Sequence, residues 1–251
     1  MSTKTNLTAL ILAGGIGSRL RPITDLPKPI VPVFGKPYLF YVLETLKHSG
    51  IQRVIVGAGY RSELLVETLR QWNPGLDLSF SIEPEPYGTG GALRWASRLL
   101  QTDDCLVLNG DSFCDFDLDP FLEFRDKTPT KSAILSLRVD DCSRYGRLHF
   151  DADGRIIRFE EKNALDTTSG WINGGIYLLP SDKLRQLPER LPLSLEKEVF
   201  PGWLAEGLFA FSIETLFLDI GTPESFAQKE AFITALQNRR QTKIASARRL
   251  P

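Results

Sequence analysis

From Leu7 to Leu108 the chain alternates short apolar runs with amphipathic segments, and this alternation constrains the fold more than any other feature. The run Leu7–Leu12 (LTALIL) carries no charge, as a strand covered on both faces requires. Residues 37–49 place Leu39, Phe40, Leu43 and Leu46 at helical spacing, with Pro37 suited to a first turn and Gly50 to a stop. Arg53–Val56 reads as a second strand, Ser62–Trp72 as a helix, and Leu76–Ile82 as a third strand. Gly91–Leu100 is then helical and Cys105–Leu108 is a further apolar, strand-length run. Short connections between alternating strands and helices predict an α/β fold, a Rossmann-like mixed but mainly parallel sheet flanked by helices.

The second half changes character. Ser132–Val139, Arg147–Phe150 and Ile156–Glu161 are strand-like, and the pair Asp153-Gly154 marks a hairpin turn. Ile172–Leu179 and Phe209–Ile213 add strands, and a helix is expected near Leu195–Ala205, interrupted or shifted by Pro201. Thr222 is expected to cap a final helix with Pro223 in its first position. With no repeat and no low-complexity linker, residues 1–238 read as one domain with halves of about 7–130 and 131–238. The basic stretch from Arg239 onward (RRQTKIASARRLP) reads as a solvated, disordered tail.

Composition excludes several functions. A net charge of −1 gives no electrostatic reason to expect nucleic acid as a partner. Three cysteines, Cys105, Cys114 and Cys142, show no CxxC spacing, and only His48 and His149 are present, which disfavours a disulfide framework, a zinc site or a histidine triad. The apolar run near the N-terminus is too short for a signal or membrane segment, so a cytoplasmic protein with no membrane partner is expected.

The stretch Leu10–Pro29 (LILAGGIGSRLRPITDLPKP) carries the chemistry. A strand running into Ala13-Gly14-Gly15-Ile16-Gly17 leaves bare backbone N–H groups that can wrap an anion, although a tight strand-to-helix turn alone would use the same glycines. No lysine follows as in a P-loop, and Leu20 stands where GxGxxG needs its third glycine. Instead Arg19 lies just beyond the glycines and Lys28 is held between Pro27 and Pro29, a rigid pair of cations suited to a polyphosphate. LVLNGDSF ends an apolar strand at Asn109-Gly110-Asp111, and TLFLDIGTPE offers Asp219 in a similar context. Either aspartate alone could be a helix cap or loop residue. Two hard carboxylates, each after an apolar run and meeting a polyphosphate, would hold Mg²⁺, while Asp115, Asp117 and Asp119 read as a solvated loop and helix start.

GGIGSRLRPITDLPKPIVPV resembles the signature of the sugar-1-phosphate nucleotidyltransferases, with Ser18 in place of the usual threonine. The resemblance runs in chain order from about Leu7 to Ala231. It implies that Arg19 and Lys28 hold the nucleotide phosphates, with Leu12, Ala13, Gly14, Gly15 and Gly17 beside them. SIEPEPYGTGGAL resembles the family's base loop, so Glu83, Gly88 and Thr89, with Asn109 and Gly110, are expected to bind nucleotide. Gly88, Gly90 and Gly91 would let backbone approach a planar base. An ionised Glu83, which only accepts hydrogen bonds, suits guanine's adjacent N–H donors but would also accept from the single N–H of uracil or thymine.

RYGRLHF, FEEK and WINGGIYLL also have family counterparts. By resemblance Gly146, Glu161, Lys162, Asn173 and Gly174 form a smaller sugar-binding lobe, with Lys162 on the sugar phosphate. The expected reaction joins an NTP, GTP favoured, to a sugar 1-phosphate and releases pyrophosphate, with Mg²⁺ on Asp111 and Asp219. Within the family the motifs most resemble guanylyltransferases acting on D-glycero-α-D-manno-heptose 1-phosphate; mannose-1-phosphate guanylyltransferases and N-acetylmuramate-1-phosphate uridylyltransferases share most of them. At this length no appended acyltransferase or left-handed β-helix domain is expected. An inactive sugar-nucleotide-sensing subunit should have lost Arg19, Lys28 or an aspartate, and none is missing. A metal-dependent glycosyltransferase could use Asp115-Phe116-Asp117 as a DxD site but has no use for the glycine–arginine–lysine clamp. A small homo-oligomer is expected.

Overall fold

In a computed structural model, which describes residues 7–160 and 162–247, the first apolar run becomes the middle of a parallel sheet. Strand β1 (Leu7–Leu12) is paired on one side by β4 (Arg53–Ala58) and on the other by β6 (Asp104–Asn109), both parallel, with β5 (Asp77–Ile82) beyond β4. The hairpin β2 (Pro32–Val33) and β3 (Lys36–Pro37) precedes helix α1 (Tyr38–His48). Helices α2 (Ser62–Gln71) and α3 (Gly88–Ser97) complete the alternation. Strand period places Ala9 and Ile11 in one apolar cluster and Leu10 in another, so the sheet is covered on both faces. Gly50, with φ of +88°, ends α1 as expected.

The other half grafts antiparallel strands onto this sheet. Strand β11 (Gly170–Pro180) pairs antiparallel with β6, with β8 (Ala133–Val139) and, through Ile172, with β9 (Arg147–Phe150). Strand β10 (Ile156–Glu160) closes a hairpin with β9 around Gly154, and β12 (Phe209–Ile213) runs parallel to β8. Two short strands, β7 (Ser112–Cys114) and β13 (Phe217–Asp219), form a separate antiparallel ribbon, with α4 (Leu118–Lys127) following β7. Helix α5 (Ser181–Arg185) follows β11.

Four local expectations change. Helix α3 begins at Gly88 rather than Gly91. The 195–205 segment is a π-helical turn (Leu195–Val199) followed by α6 (Phe200–Trp203), with Pro201 in the first turn of α6. Thr222 does cap a helix, with a reciprocal bond to Ser225, but that helix is the short α7 (Pro223–Ala227). A separate helix, α8 (Lys229–Ala247), runs straight through Arg239, where a disordered tail was expected.

The cause is tertiary. Phe232, Ile233 and Leu236 are buried, and the Phe232 ring lies 5.6 Å from that of Phe113 on β7. Arg239 Nε reaches Asp115 Oδ2 at 3.2 Å, its Nη1 donates to Thr215 Oγ1 at 3.0 Å, and Arg240 Nη2 bonds Thr45 Oγ1. Asp115 is therefore a buried partner of α8 rather than a solvated loop residue, while Asp117 and Asp119 do begin α4. Among the described residues no helix is long and apolar enough to cross a membrane, and all three cysteines are buried and free.

Candidate active site

A cavity of about 850 Å³ opens at the carboxyl ends of β1 and β6, the edge where open α/β sheets bind ligands. Its floor is the glycine loop: Leu12, Ala13, Gly14, Gly15 and Gly17 all line it. The loop is tied to the sheet by Ala13 N donating to Gly57 O at 2.8 Å and Tyr60 N donating to Gly14 O at 3.2 Å. Gly17 has φ of +65° and lies under Lys28, whose side chain a Cβ at Gly17 would meet at 3.1 Å. Lys28 stands at the start of a 3₁₀ turn between Pro27 and Pro29, and its ammonium sits 2.9 Å from Asp111 Oδ2. Arg19 also lines the cavity, exposed, with its guanidinium beside Gly221.

The β7–β13 ribbon brings the two aspartates together from distant parts of the chain. Asp219 pairs in register with Ser112, and Ile220 N donates to Asp111 O at 3.0 Å. Asp219 Oδ1 accepts from Gly221 N at 2.7 Å, and Arg144 Nη2 lies 3.5 Å from its Oδ2. Burial, and then the negative charge of Asp111, push the Asp219 carboxyl above the ordinary carboxylate range. Two carboxylates brought together in this way fit a divalent cation. Among the described residues they gather no group of three histidines, cysteines or carboxylates, so water and phosphate oxygens would complete the shell of a hard cation.

Glu83 follows β5 and faces the cavity from the other side of the glycine loop. Its Oε2 accepts from Tyr87 N at 3.1 Å, and Oε1 is so close to Gly14 that a Cβ there would lie 2.6 Å away. Burial raises its carboxyl, and the Tyr87 hydrogen bond opposes the rise. Gly88, Thr89, Asn109 and Gly110 also line the cavity. The glycines of this loop serve a further purpose: a Cβ at Gly88 would lie 2.5 Å from Leu193 O, and one at Gly91 2.5 Å from the Leu191 side chain. They admit another segment of this protein, and that close approach lets α3 start three residues earlier than the sequence pattern suggests.

Of the residues expected to meet a sugar phosphate, Gly146, Lys162 and Asn173 line the cavity, whereas Glu161 lies outside the described residues. Gly174 does not line it. A register irregularity between Asn173 and Tyr177 turns Gly174 towards β8, where a Cβ would meet Leu135 O at 2.8 Å, and Gly175 takes its place with φ of +73°. Asn173 donates through Nδ2 to the Tyr177 hydroxyl at 3.1 Å and accepts from Gly175 N at 3.0 Å. Asn109 Oδ1 is buried without a hydrogen-bond partner, an acceptor that a ligand donor would satisfy. Sequence reasoning missed Arg144, Ser194, Glu196 and Lys197, all of which line the cavity. Ser194 to Lys197 lie in SLEKEVFP, which reads locally only as a helix, so no short-range signal marks them.

The Nucleotidyl transferase family matches residues 8–235. Mannose-1-phosphate guanyltransferase of Yarrowia lipolytica is 37% identical over 227 residues, covering 88% of this chain and 62% of the relative. The mannose-1-phosphate guanylyltransferase catalytic subunit beta of Danio rerio is 40% identical with the same coverage. This chain thus spans a little under two thirds of these relatives' length. Among solved structures, HddC from Yersinia pseudotuberculosis complexed with GMP-PN superposes with a TM-score of 0.79 at 33% identity, covering 89% of this chain and 98% of that one.

Proposed function

This chain belongs to the Nucleotidyl transferase family, and we propose that it transfers the nucleoside monophosphate of an NTP to a sugar 1-phosphate, releasing pyrophosphate. The observation that carries this reading is one cavity in which a glycine loop, Arg19, Lys28 and the Asp111–Asp219 pair face Lys162 and Asn173. An oxygen of the sugar phosphate attacks the α-phosphorus in line, and pyrophosphate departs opposite. The nucleophile is already an anion near neutral pH, so the site needs no general base. The obstacle is the approach of two anions, which positioning and fixed positive charge overcome. Backbone amides of Gly14 and Gly15 and the guanidinium of Arg19 cradle the leaving phosphates, Lys28 assists, and Lys162 anchors the attacking phosphate. Asp111 and Asp219 would hold Mg²⁺, which neutralises phosphate charge when bound.

GTP is the favoured nucleotide. Glu83 offers only acceptors while ionised, which matches guanine's adjacent N–H donors, and the likeness to HddC complexed with GMP-PN supports the same base. D-glycero-α-D-manno-heptose 1-phosphate is the favoured acceptor on the motifs. Mannose 1-phosphate is the second reading, supported by the names of the two relatives. The test is pyrophosphate release with Mg²⁺ across four NTPs and a panel of heptose, mannose, glucose and N-acetylmuramate 1-phosphates. GTP-dependent turnover with the heptose phosphate is expected, and preference for mannose 1-phosphate moves the substrate while keeping the reaction. Arg19→Ala is expected to lose about 10²–10³ in kcat. Folded, nucleotide-binding protein that turns over no pair refutes the reaction.

A further inference from the structure

The Thr89 hydroxyl is engaged within the protein. It donates to Glu196 Oε2 at 3.0 Å and accepts from Leu195 N at 2.9 Å. Ser194 Oγ donates to the same Oε2 at 3.3 Å. Around this contact the first turn of α3 is docked backbone to backbone on the segment before the π-helical turn. Gly90 N and Gly91 N both reach Leu193 O, at 2.8 and 3.3 Å, and Leu193 N donates to Tyr87 O at 2.9 Å. Glu196 lines the same cavity as Lys162 and Asn173, the latter donating to the buried Tyr177 hydroxyl at 3.1 Å.

A carboxylate fixed through one oxygen keeps the lone pairs of the other for a ligand. We propose that Thr89 is a positioning residue, holding the Glu196 carboxylate as an acceptor for a hydroxyl of the sugar, so that the helix carrying the base loop also sets the sugar side. The inference rests on the nucleotidyl transfer proposed above. It separates Thr89 from the nucleotide contacts: the hydroxyl acts through Glu196 on the other substrate.

The experiment compares Thr89→Val, which keeps the shape and removes the hydroxyl, with Thr89→Ser, which keeps the hydroxyl. Two quantities are read: KM for the sugar 1-phosphate at saturating GTP, and Kd for GTP alone by calorimetry. Thr89→Val is expected to raise the sugar-phosphate KM about tenfold or more, as loss of a hydrogen bond to a charged group does, with GTP Kd unchanged. Thr89→Ser is expected to restore the wild-type KM. Glu196→Gln is expected to raise the same KM and leave GTP Kd alone; adding Thr89→Val to it should then cost little more. If Thr89→Val does not fold, Thr89→Ser and Glu196→Gln decide: a raised KM in Glu196→Gln with a wild-type value in Thr89→Ser supports the assignment. An unchanged KM in Glu196→Gln or in folded Thr89→Val, failure of the serine to restore it, or a parallel rise in GTP Kd overturns it. Wild-type protein that turns over no sugar 1-phosphate overturns the transfer reading and this inference together, whereas active wild type with an unaffected Thr89→Val overturns this inference alone.

Discussion

Substitution of Gly88 by alanine tests whether the glycines at the start of α3 serve internal docking. Gly88 has φ of +74°, and a Cβ there would lie 2.5 Å from Leu193 O and 3.1 Å from Leu193 C and N. The left-handed conformation costs an L-residue about 1–2 kcal/mol. The Leu193 carbonyl must also retreat, and it accepts the amides of Gly90 and Gly91, each bond contributing about 0.5–1.5 kcal/mol. The expected destabilisation is thus about 2–5 kcal/mol, which for a chain of this size lowers Tm by about 5–15 °C. Urea and thermal unfolding, each followed by circular dichroism, measure it. Gly15→Ala is the control: nothing lies within 4 Å of its Cβ position, so stability should hold within about 0.5 kcal/mol. Turnover should nonetheless fall in Gly15→Ala, because the added methyl stands at the phosphate cradle. A Gly88→Ala midpoint within about 2 °C of wild type would show that Leu193 yields freely and refute the docking argument.

Asp219 makes an opposite prediction for stability. Its raised carboxyl pKa means the folded chain holds this proton more tightly than the unfolded chain, so its contribution to stability is present at low pH and is lost as pH rises through the folded value. At neutral pH Asp219→Asn should therefore raise the unfolding midpoint, by about 0.5–2 kcal/mol, while abolishing pyrophosphate release. Calorimetry on both proteins decides the first and an activity assay the second. Glu83 is also raised by burial, so GTP affinity should weaken on acidification while pH is still above the ordinary glutamate value of about 4.3; titration calorimetry across pH, with Glu83→Gln lacking the effect, checks this. Ending the chain after Asn238 removes Arg239 and Arg240 and strands the buried Asp115, so urea unfolding should show a loss of about 1–3 kcal/mol rather than the neutrality of a disordered tail.

Where structure follows from short-range pattern, the sequence was legible. Leu7–Leu12, Arg147–Phe150 and Phe209–Ile213 become strands with the expected ends, and the glycine loop, Arg19, Lys28, Asp111 and Asp219 converge on one cavity. What was not legible depends on partners far along the chain. Helix α8 is largely polar at its end and reads as a solvated tail until Asp115, Thr215 and Thr45 are brought beside its arginines. Gly174 and Gly175 differ only through a strand irregularity that sequence period cannot express. Glu196 enters the site because Leu193 packs on Gly88 and Gly90, a contact between segments whose local patterns do not mention each other.

The ribbon that unites Asp111 with Asp219 also orders events in time. Its pairing of Phe217 with Cys114, like that of Phe209 with Ala133, closes a long stretch of chain, and such non-local contacts form late and slowly. The Lys28–Asp111 pair joins residues of the earlier half of the chain, whereas Asp219 reaches Asp111 only through the ribbon. The paired carboxylates are therefore complete only once the β7–β13 ribbon has closed, so the last long-range contact to form is also the one that finishes the candidate site.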